Sequence, residues 1–172
     1  SSVLSVANAS RMEMFEANRD VLRGVRWTST LDSRTTEICM SLDGATWTMD
    51  GDRMDGTTAA WRGPPPAHFN CRSTLAPITK SFAELSKNPV MAKKLEKLPR
   101  SGAGAIRASM DGAVPGKLNY EDWLRTKPEA FQIEVLGPTK HDLWKKKLIG
   151  FSDLIDQSHR PLSVEALVAK AS

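Results

Sequence analysis

No apolar run in this 172-residue chain approaches the ~20 residues needed to cross a bilayer, and no signal-peptide segment or targeting pattern opens it. The expectation is a soluble chain with no membrane partner. Cysteine is scarce, at two residues, and histidine nearly so, at three. Two cysteines cannot build a disulfide scaffold, which leaves free thiols or a metal site in a reducing compartment. There is no Ser/His/Asp triad, no phosphate-cradling glycine loop and no His-Glu-x-x-His helix, so the commonest hydrolase and nucleotide-binding patterns are missing. Apolar residues make up 40% and charged residues 26%, which argues against disorder and for one compact domain or one and a half. The net charge of +4 is a modest excess that favours nonspecific contact with phosphate or acidic protein surfaces. The chain opens Ser1-Ser-Val-Leu without Met, which suggests that further sequence precedes it.

What is there concentrates between Trp27 and Ser73. The stretch contains Trp27-Thr-Ser-Thr-Leu-Asp32-Ser-Arg34-Thr35, Ile38-Cys39, Leu42-Asp43-Gly44 and Pro64-Pro-Pro-Ala-His68-Phe-Asn70-Cys71-Arg72-Ser73. Cys39, His68 and Cys71 supply two thiolates and an imidazole, the donor set zinc prefers, and His68-x-x-Cys71 lets one turn contribute two ligands. Ser73 stands where a fourth thiolate would be natural, so Asp32, Asp43 or water would complete the coordination. Two other readings stay open. Both cysteines can be small buried hydrophobes with His68 bonded to a backbone carbonyl, or they can form a Cys39–Cys71 disulfide. Asp-Ser-Arg-Thr reads as a turn in which Asp32 accepts backbone N–H bonds, Thr35 supports it and Arg34 pairs with a carboxylate. Arg72 is expected to fork onto a carboxylate or backbone carbonyls.

The apolar spacing predicts a helix from Ser2 to Leu22, capped by Gly24, and a strand over Val25–Thr30. Residues 31–77 are expected to be loop-rich with short strands, including a hairpin arm through Asp43-Gly44 and an extended Pro64–Pro66 run that presents His68. A basic helix broken at Pro89 covers 81–98, with Lys97 and Arg100 at its end, and 101–119 reads as an irregular connection through a flexible Ser101–Gly104 link. Asn119 caps a helix starting at Tyr120 and closed by Gly137-Pro138. Another runs through His141, Trp144 and Leu148, a short one covers Ser152–Asp156, and Ser163 caps the last. Trp123 and Trp144 belong to the core, and His141 and His159 are expected to be solvated. Lys145, Lys146 and Lys147 can grip phosphate or simply complement a helix C-terminus. The organisation is then an N-terminal helix over 1–24, a core with the Cys/His block over 25–80, a basic helix and linker over 81–118, and a helical region over 119–172. The fold class is α+β, a small antiparallel sheet with a loop-rich Cys/His block, an N-terminal helix and C-terminal helices.

Four ordered blocks resemble the phage Mu F-like head morphogenesis family, the minor capsid proteins of tailed bacteriophages. They are Trp27 to Thr35, Cys39 with Leu42-Asp43-Gly44, Pro65-Pro66-x-His68-x-Asn70-Cys71-Arg72, and a C-terminal set of Arg107-Ala-Ser-Met-Asp-Gly112-x-Val-Pro, Tyr120-x-x-Trp-Leu124 and Gln132-x-x-x-Leu136-Gly. Ser73 departs from the His-x-Asn-Cys-Arg-Cys pattern of many relatives. The resemblance implies a nonenzymatic virion component, assembled in the bacterial host cytoplasm and lying in the head interior or at the portal vertex. Its implied partners are portal, scaffold or coat protein, with nonspecific contact to packaged double-stranded DNA during packaging or ejection, which should weaken with salt. No cofactor is called for beyond a candidate zinc ion. The rival reading is an enzyme, either a zinc-assisted hydrolase or nuclease or an ADP-ribosyltransferase-like protein using Asp32, Arg34 and Glu134.

Overall fold

The computed structural model describes residues 2–95 and 105–171, an α+β protein in which short helices pack around a small antiparallel sheet. The Ser101–Gly104 link, Lys97 and Arg100 lie outside the described residues. Helix α1 (Ser2–Ala17) leads to strand β1 (Leu22–Thr28), helix α2 (Glu37–Leu42), and strands β2 (Thr46–Trp47), β3 (Arg53–Met54) and β4 (Thr74–Thr79). Helices α3 (Phe82–Leu85) and α4 (Pro89–Leu95) precede a hairpin of β5 (Ile106–Ser109) and β6 (Gly112–Pro115). Helices α5 (Tyr120–Arg125), α6 (Glu129–Leu136) and α7 (Pro138–Lys145), a 3₁₀ turn (Phe151–Asp153) and α8 (Val164–Ala171) complete the chain. Among the described residues, no helix is long and apolar enough to cross a membrane.

The main sheet has strand order β3-β2-β1-β4, antiparallel throughout. In the central strand β1, Val25 lies opposite Trp47 on one side and Pro77 on the other, and Trp27 lies opposite Leu75. Val25, Trp27, Trp47 and Leu75 are buried together with Phe15 of α1, Cys39 and Leu42 of α2, and Cys71. A second apolar cluster gathers Tyr120, Trp123, Leu124, Leu136, Trp144, Phe151 and Leu167, and it reaches α2 through Met40. Helix α2 thus carries Met40 into one cluster and Cys39 and Leu42 into the other, which fixes its position between sheet and helices. Trp123 and Trp144 are core residues, as their spacing indicates.

Several local expectations change. Helix α1 stops at Ala17, where the Asn18 side-chain amide donates to the Met14 carbonyl, and Leu22 already pairs with Thr79 in β1. Gly24 is no helix cap. It lies inside β1, and a Cβ placed on it would stand 2.1 Å from the Trp47 carbonyl oxygen, so the residue permits a close approach of two strands. Asp43-Gly44 ends α2 rather than turning a hairpin, with Gly44 in the left-handed region at φ 87° and its amide donating to the Trp27 carbonyl. The hairpin forms one step later, between β2 and β3, through Thr48–Asp52. The Pro64–Pro66 run is not a continuous extended rod, since the Pro65–Pro66 peptide is cis.

The region expected to be an irregular connection contains the β5–β6 hairpin, turned at Met110-Asp111, and Leu31 forms a parallel bridge to Ser109. The helix expected to run from Tyr120 to Gly137 is two helices, because Pro128 has no amide to donate and restricts Lys127 before it. Asn119 does cap α5, accepting from the Asp122 amide at 2.8 Å. Ser163 likewise accepts from the Ala166 amide at 3.2 Å.

Candidate functional site

Cys39 sits on α2, and His68 and Cys71 sit on the long irregular segment between β3 and β4. The segment folds back because His68 and Cys71 close a tight turn, with the Cys71 amide donating to the His68 carbonyl at 3.2 Å. Asn70 takes the left-handed position of that turn at φ 58°, a conformation asparagine tolerates better than most side chains. The result brings Cys39 Sγ within 3.0 Å of His68 Nε2 and within 3.7 Å of Cys71 Sγ. All three donor atoms lie within 4.8 Å of one another, and among the described residues they form a cluster able to share a metal ion. Both cysteines are buried and free, at a separation far too long for a disulfide bond.

His68 Nδ1 is 2.7 Å from the Phe69 carbonyl oxygen, which can only accept, so the ring's proton is on Nδ1 when the imidazole is neutral. Nε2 then presents its lone pair to Cys39 and to Thr36 Oγ1, 2.9 Å away. The hydrogen bond with Cys39 draws the Cys71 thiol down to about 5 against the opposing effect of burial, with backbone groups of Ala67 and Ser73 assisting. The same hydrogen bond, together with burial, raises Cys39. The shared hydrogen bond therefore pushes the two thiols in opposite directions. A cleft of about 90 Å³ reaches the cluster from one side, lined among others by Cys39, His68, Arg34 and Thr36.

Asp32 and Asp43, the expected donors of a fourth ligand, are committed elsewhere. Both Asp32 oxygens are held by a two-pronged Arg72 contact at 2.6 and 2.8 Å, and Asp32 Oδ1 also accepts from the Arg34 amide and the Thr35 hydroxyl. The Arg72 contact holds the Asp32 carboxyl below its ordinary value, against the opposing effect of burial. Arg72 therefore forks onto a carboxylate as expected, while the Arg34 side chain is exposed and leaves that carboxylate to Arg72. Asp43 is gripped by Arg107 at 2.9 and 3.0 Å and accepts from the Ser29 amide at 2.6 Å. Burial raises the Asp43 carboxyl, with Arg107 pulling in the opposite direction.

Sequence reasoning missed Ser29, Thr36, Arg107 and Tyr120 as neighbours of this block. The Ser29 hydroxyl donates to the Cys39 carbonyl at 2.7 Å and meets the Ser73 hydroxyl at 3.1 Å, so Ser73, buried in place of a thiolate, completes a polar strut beneath the cluster. The Tyr120 hydroxyl donates to the Asp32 carbonyl at 2.6 Å. Arg107 had no readable role, because its partner lies 64 residues earlier and no periodicity connects them.

The remaining polar expectations divide. His141 is buried against Trp144 with Nε2 3.1 Å from Gln132 Oε1, and His159 is half-buried with Nε2 2.8 Å from the Ala60 carbonyl, so neither is a solvated histidine. Lys145 pairs with Glu129 and Lys146 with Asp142, while Lys147 follows in the left-handed region at φ 60°. Neither Asp32 nor Arg34 forms a hydrogen bond or ion pair with Glu134 among the described residues, and Glu134 is exposed on α6. No curated protein and no solved structure matches the chain. Residues 1–76 match the family model described as Phage Mu protein F like protein.

Proposed function

We propose that this chain, whose residues 1–76 match the model of the phage Mu protein F like family, is a structural component of a phage head, acting in head morphogenesis. The observation that carries the reading is the match itself, whose extent takes in the whole Trp27–Ser73 block. The internal bonding of that block supports the same view. Asp32, Thr35 and Arg72 bind one another, Asp43 binds Arg107, and the turn residues Gly44 and Asn70 serve backbone geometry. Groups so occupied hold loops in place and are poorly placed to act on a substrate. The ADP-ribosyltransferase-like alternative loses support because Glu134 is exposed and, among the described residues, forms no hydrogen bond or ion pair with Asp32 or Arg34.

The finer assignment is a minor capsid protein near the portal vertex, in contact with portal, scaffold or coat protein. Contact with packaged duplex rests on the +4 net charge, through sequence-independent attraction to phosphate. Since Lys145 and Lys146 meet carboxylates, that contact is expected to be weak and to fade steeply with salt. Mass spectrometry of purified proheads and virions tests the main proposal. Peptides of this chain should be present in at least one of the two particles, and absence from both overturns it.

A further inference from the structure

We infer that Cys39, His68 and Cys71 bind one zinc ion that clasps the irregular β3–β4 segment onto α2. The inference goes beyond the head-assembly reading and does not depend on it. Zinc–sulfur bonds of about 2.3 Å at tetrahedral angles set two thiolates about 3.8 Å apart. Cys39 Sγ and Cys71 Sγ stand 3.7 Å apart. The imidazole presents the right atom, because the Nδ1–H···O=C contact with Phe69 leaves Nε2 as the lone-pair nitrogen, as is typical of metal-bound histidine. Nε2 is 3.0 Å from Cys39 Sγ, and a shared ion would open this pair to about 3.5 Å. His68 lies on the half-exposed side of the cluster, where the ring has room to move.

The need for a clasp follows from the chain path. Residues 55–73 contain no helix or strand, and a connection of that length inside a small domain requires something to hold it. Its first residues are tied to β2, where the Thr46 amide donates to the Thr57 hydroxyl and the Trp47 indole to the Ala59 carbonyl, whereas the cluster joins its distal end directly to the buried face of α2. Zinc would also resolve the electrostatics of two adjacent sulfurs in a buried site, since both can then be thiolates without repelling one another. Arg72, held by Asp32, adds a fixed positive charge next to Cys71. With Asp32 and Asp43 occupied and Ser73 bonded to Ser29, the fourth ligand is a water supplied from the cleft that Cys39 and His68 line.

The test uses the full chain, purified under reducing conditions from cells supplied with zinc. Elemental analysis is expected to give one zinc per chain, and a chelator is expected to lower the thermal midpoint and expose two thiols to a thiol reagent. Cobalt(II) added to the stripped protein should produce thiolate-to-metal charge-transfer absorption at one equivalent. Loss of a group that merely orients a metal ligand typically costs about 10–100-fold in affinity, so loss of the ligand itself in His68→Ala should weaken cobalt binding at least ~100-fold, and Cys39→Ser and Cys71→Ser should abolish the absorption or halve its thiolate contribution. Should a cysteine variant fail to fold, the wild-type cobalt titration and thiol count decide alone. Zinc below one-tenth of an equivalent with no cobalt charge-transfer band overturns the inference. So does undiminished binding in folded His68→Ala protein, or a thiol count of zero in chelator-treated, denatured protein, which would mean a disulfide.

Discussion

Replacing Arg107 with Met isolates the interaction that ties the C-terminal hairpin to the family-matched portion of the chain. The Asp43 carboxylate is fully buried and the Arg107 side chain is 8% exposed. The guanidinium contacts both carboxylate oxygens and also donates to the carbonyls of Leu118 and Ser29. Methionine keeps the apolar stem but removes every donor, stranding a buried negative charge and two carbonyls. Breaking a buried pair in this way costs about 3–5 kcal/mol, where an exposed pair would cost about 0–1. Against a total stability of roughly 5–15 kcal/mol the loss is large. With a urea m-value of about 2 kcal/mol per molar, the unfolding midpoint followed by circular dichroism should fall by about 2 M. Adding Asp43→Asn removes the stranded charge while keeping an acceptor for the Ser29 amide, so the double variant should recover about 2 kcal/mol relative to additivity. In Arg107→Met the carboxyl of Asp43 faces burial without its cation, and its folded-state value, already raised by burial, rises further. The penalty relative to wild type must then grow as pH rises above the raised wild-type value and shrink on acidification. A loss below about 1 kcal/mol, or strict additivity with Asp43→Asn, refutes this account of the knot.

Three further outcomes are expected. Gly24→Ala would press a methyl against the Trp47 carbonyl, so the main sheet must shift at a cost of about 1–3 kcal/mol, and an unchanged thermal midpoint would show that the strands do not approach as described. Asn8 of α1 is buried, donates to the Ser73 carbonyl at 3.3 Å and accepts from the Thr74 hydroxyl at 3.0 Å, so Asn8→Ala should cost about 1–3 kcal/mol in urea unfolding, whereas a change within experimental error contradicts that anchoring role. Asp32 lies below its ordinary carboxyl value because of Arg72, so its stabilisation is complete above about pH 4 and is lost as pH falls through the lower folded-state value. The difference in urea midpoint between wild type and Arg72→Met should therefore hold from pH 7 to pH 5 and close toward pH 2, and a pH-independent difference would assign the Arg72 effect to packing.

Legibility from sequence tracked the range of the interaction. Caps such as Asn119 and Ser163 could be read because donor and acceptor lie three residues apart, and the core role of Trp123 and Trp144 followed from helical spacing. Val21 and Leu22 misled because they continue the helical spacing of α1 while Leu22 pairs in β1. A six-residue helix such as α2 spans too few turns for periodicity to register, and its neighbouring Asp43-Gly44 imitates a hairpin turn. His141 looked solvated because its neighbours in sequence are polar, yet its neighbours in space are Trp144 and Gln132. In the candidate site the ligand-type residues were readable as a set, but the partners of Asp32 and Asp43 were not.

The sequence alone determined the inventory: two thiols and an imidazole within one block, turn residues at Asp32, Gly44 and Asn70, and the family resemblance those residues carry. Tertiary structure decided how the inventory is used. It spent the carboxylates of Asp32 and Asp43 on Arg72 and Arg107, left Cys39, Cys71 and His68 facing one another, and buried Ser73 beneath them. The physical reason is that residue type limits what a side chain can bond, whereas burial and long-range proximity determine which of those bonds it must make, since an unpaired polar group costs free energy once water is gone.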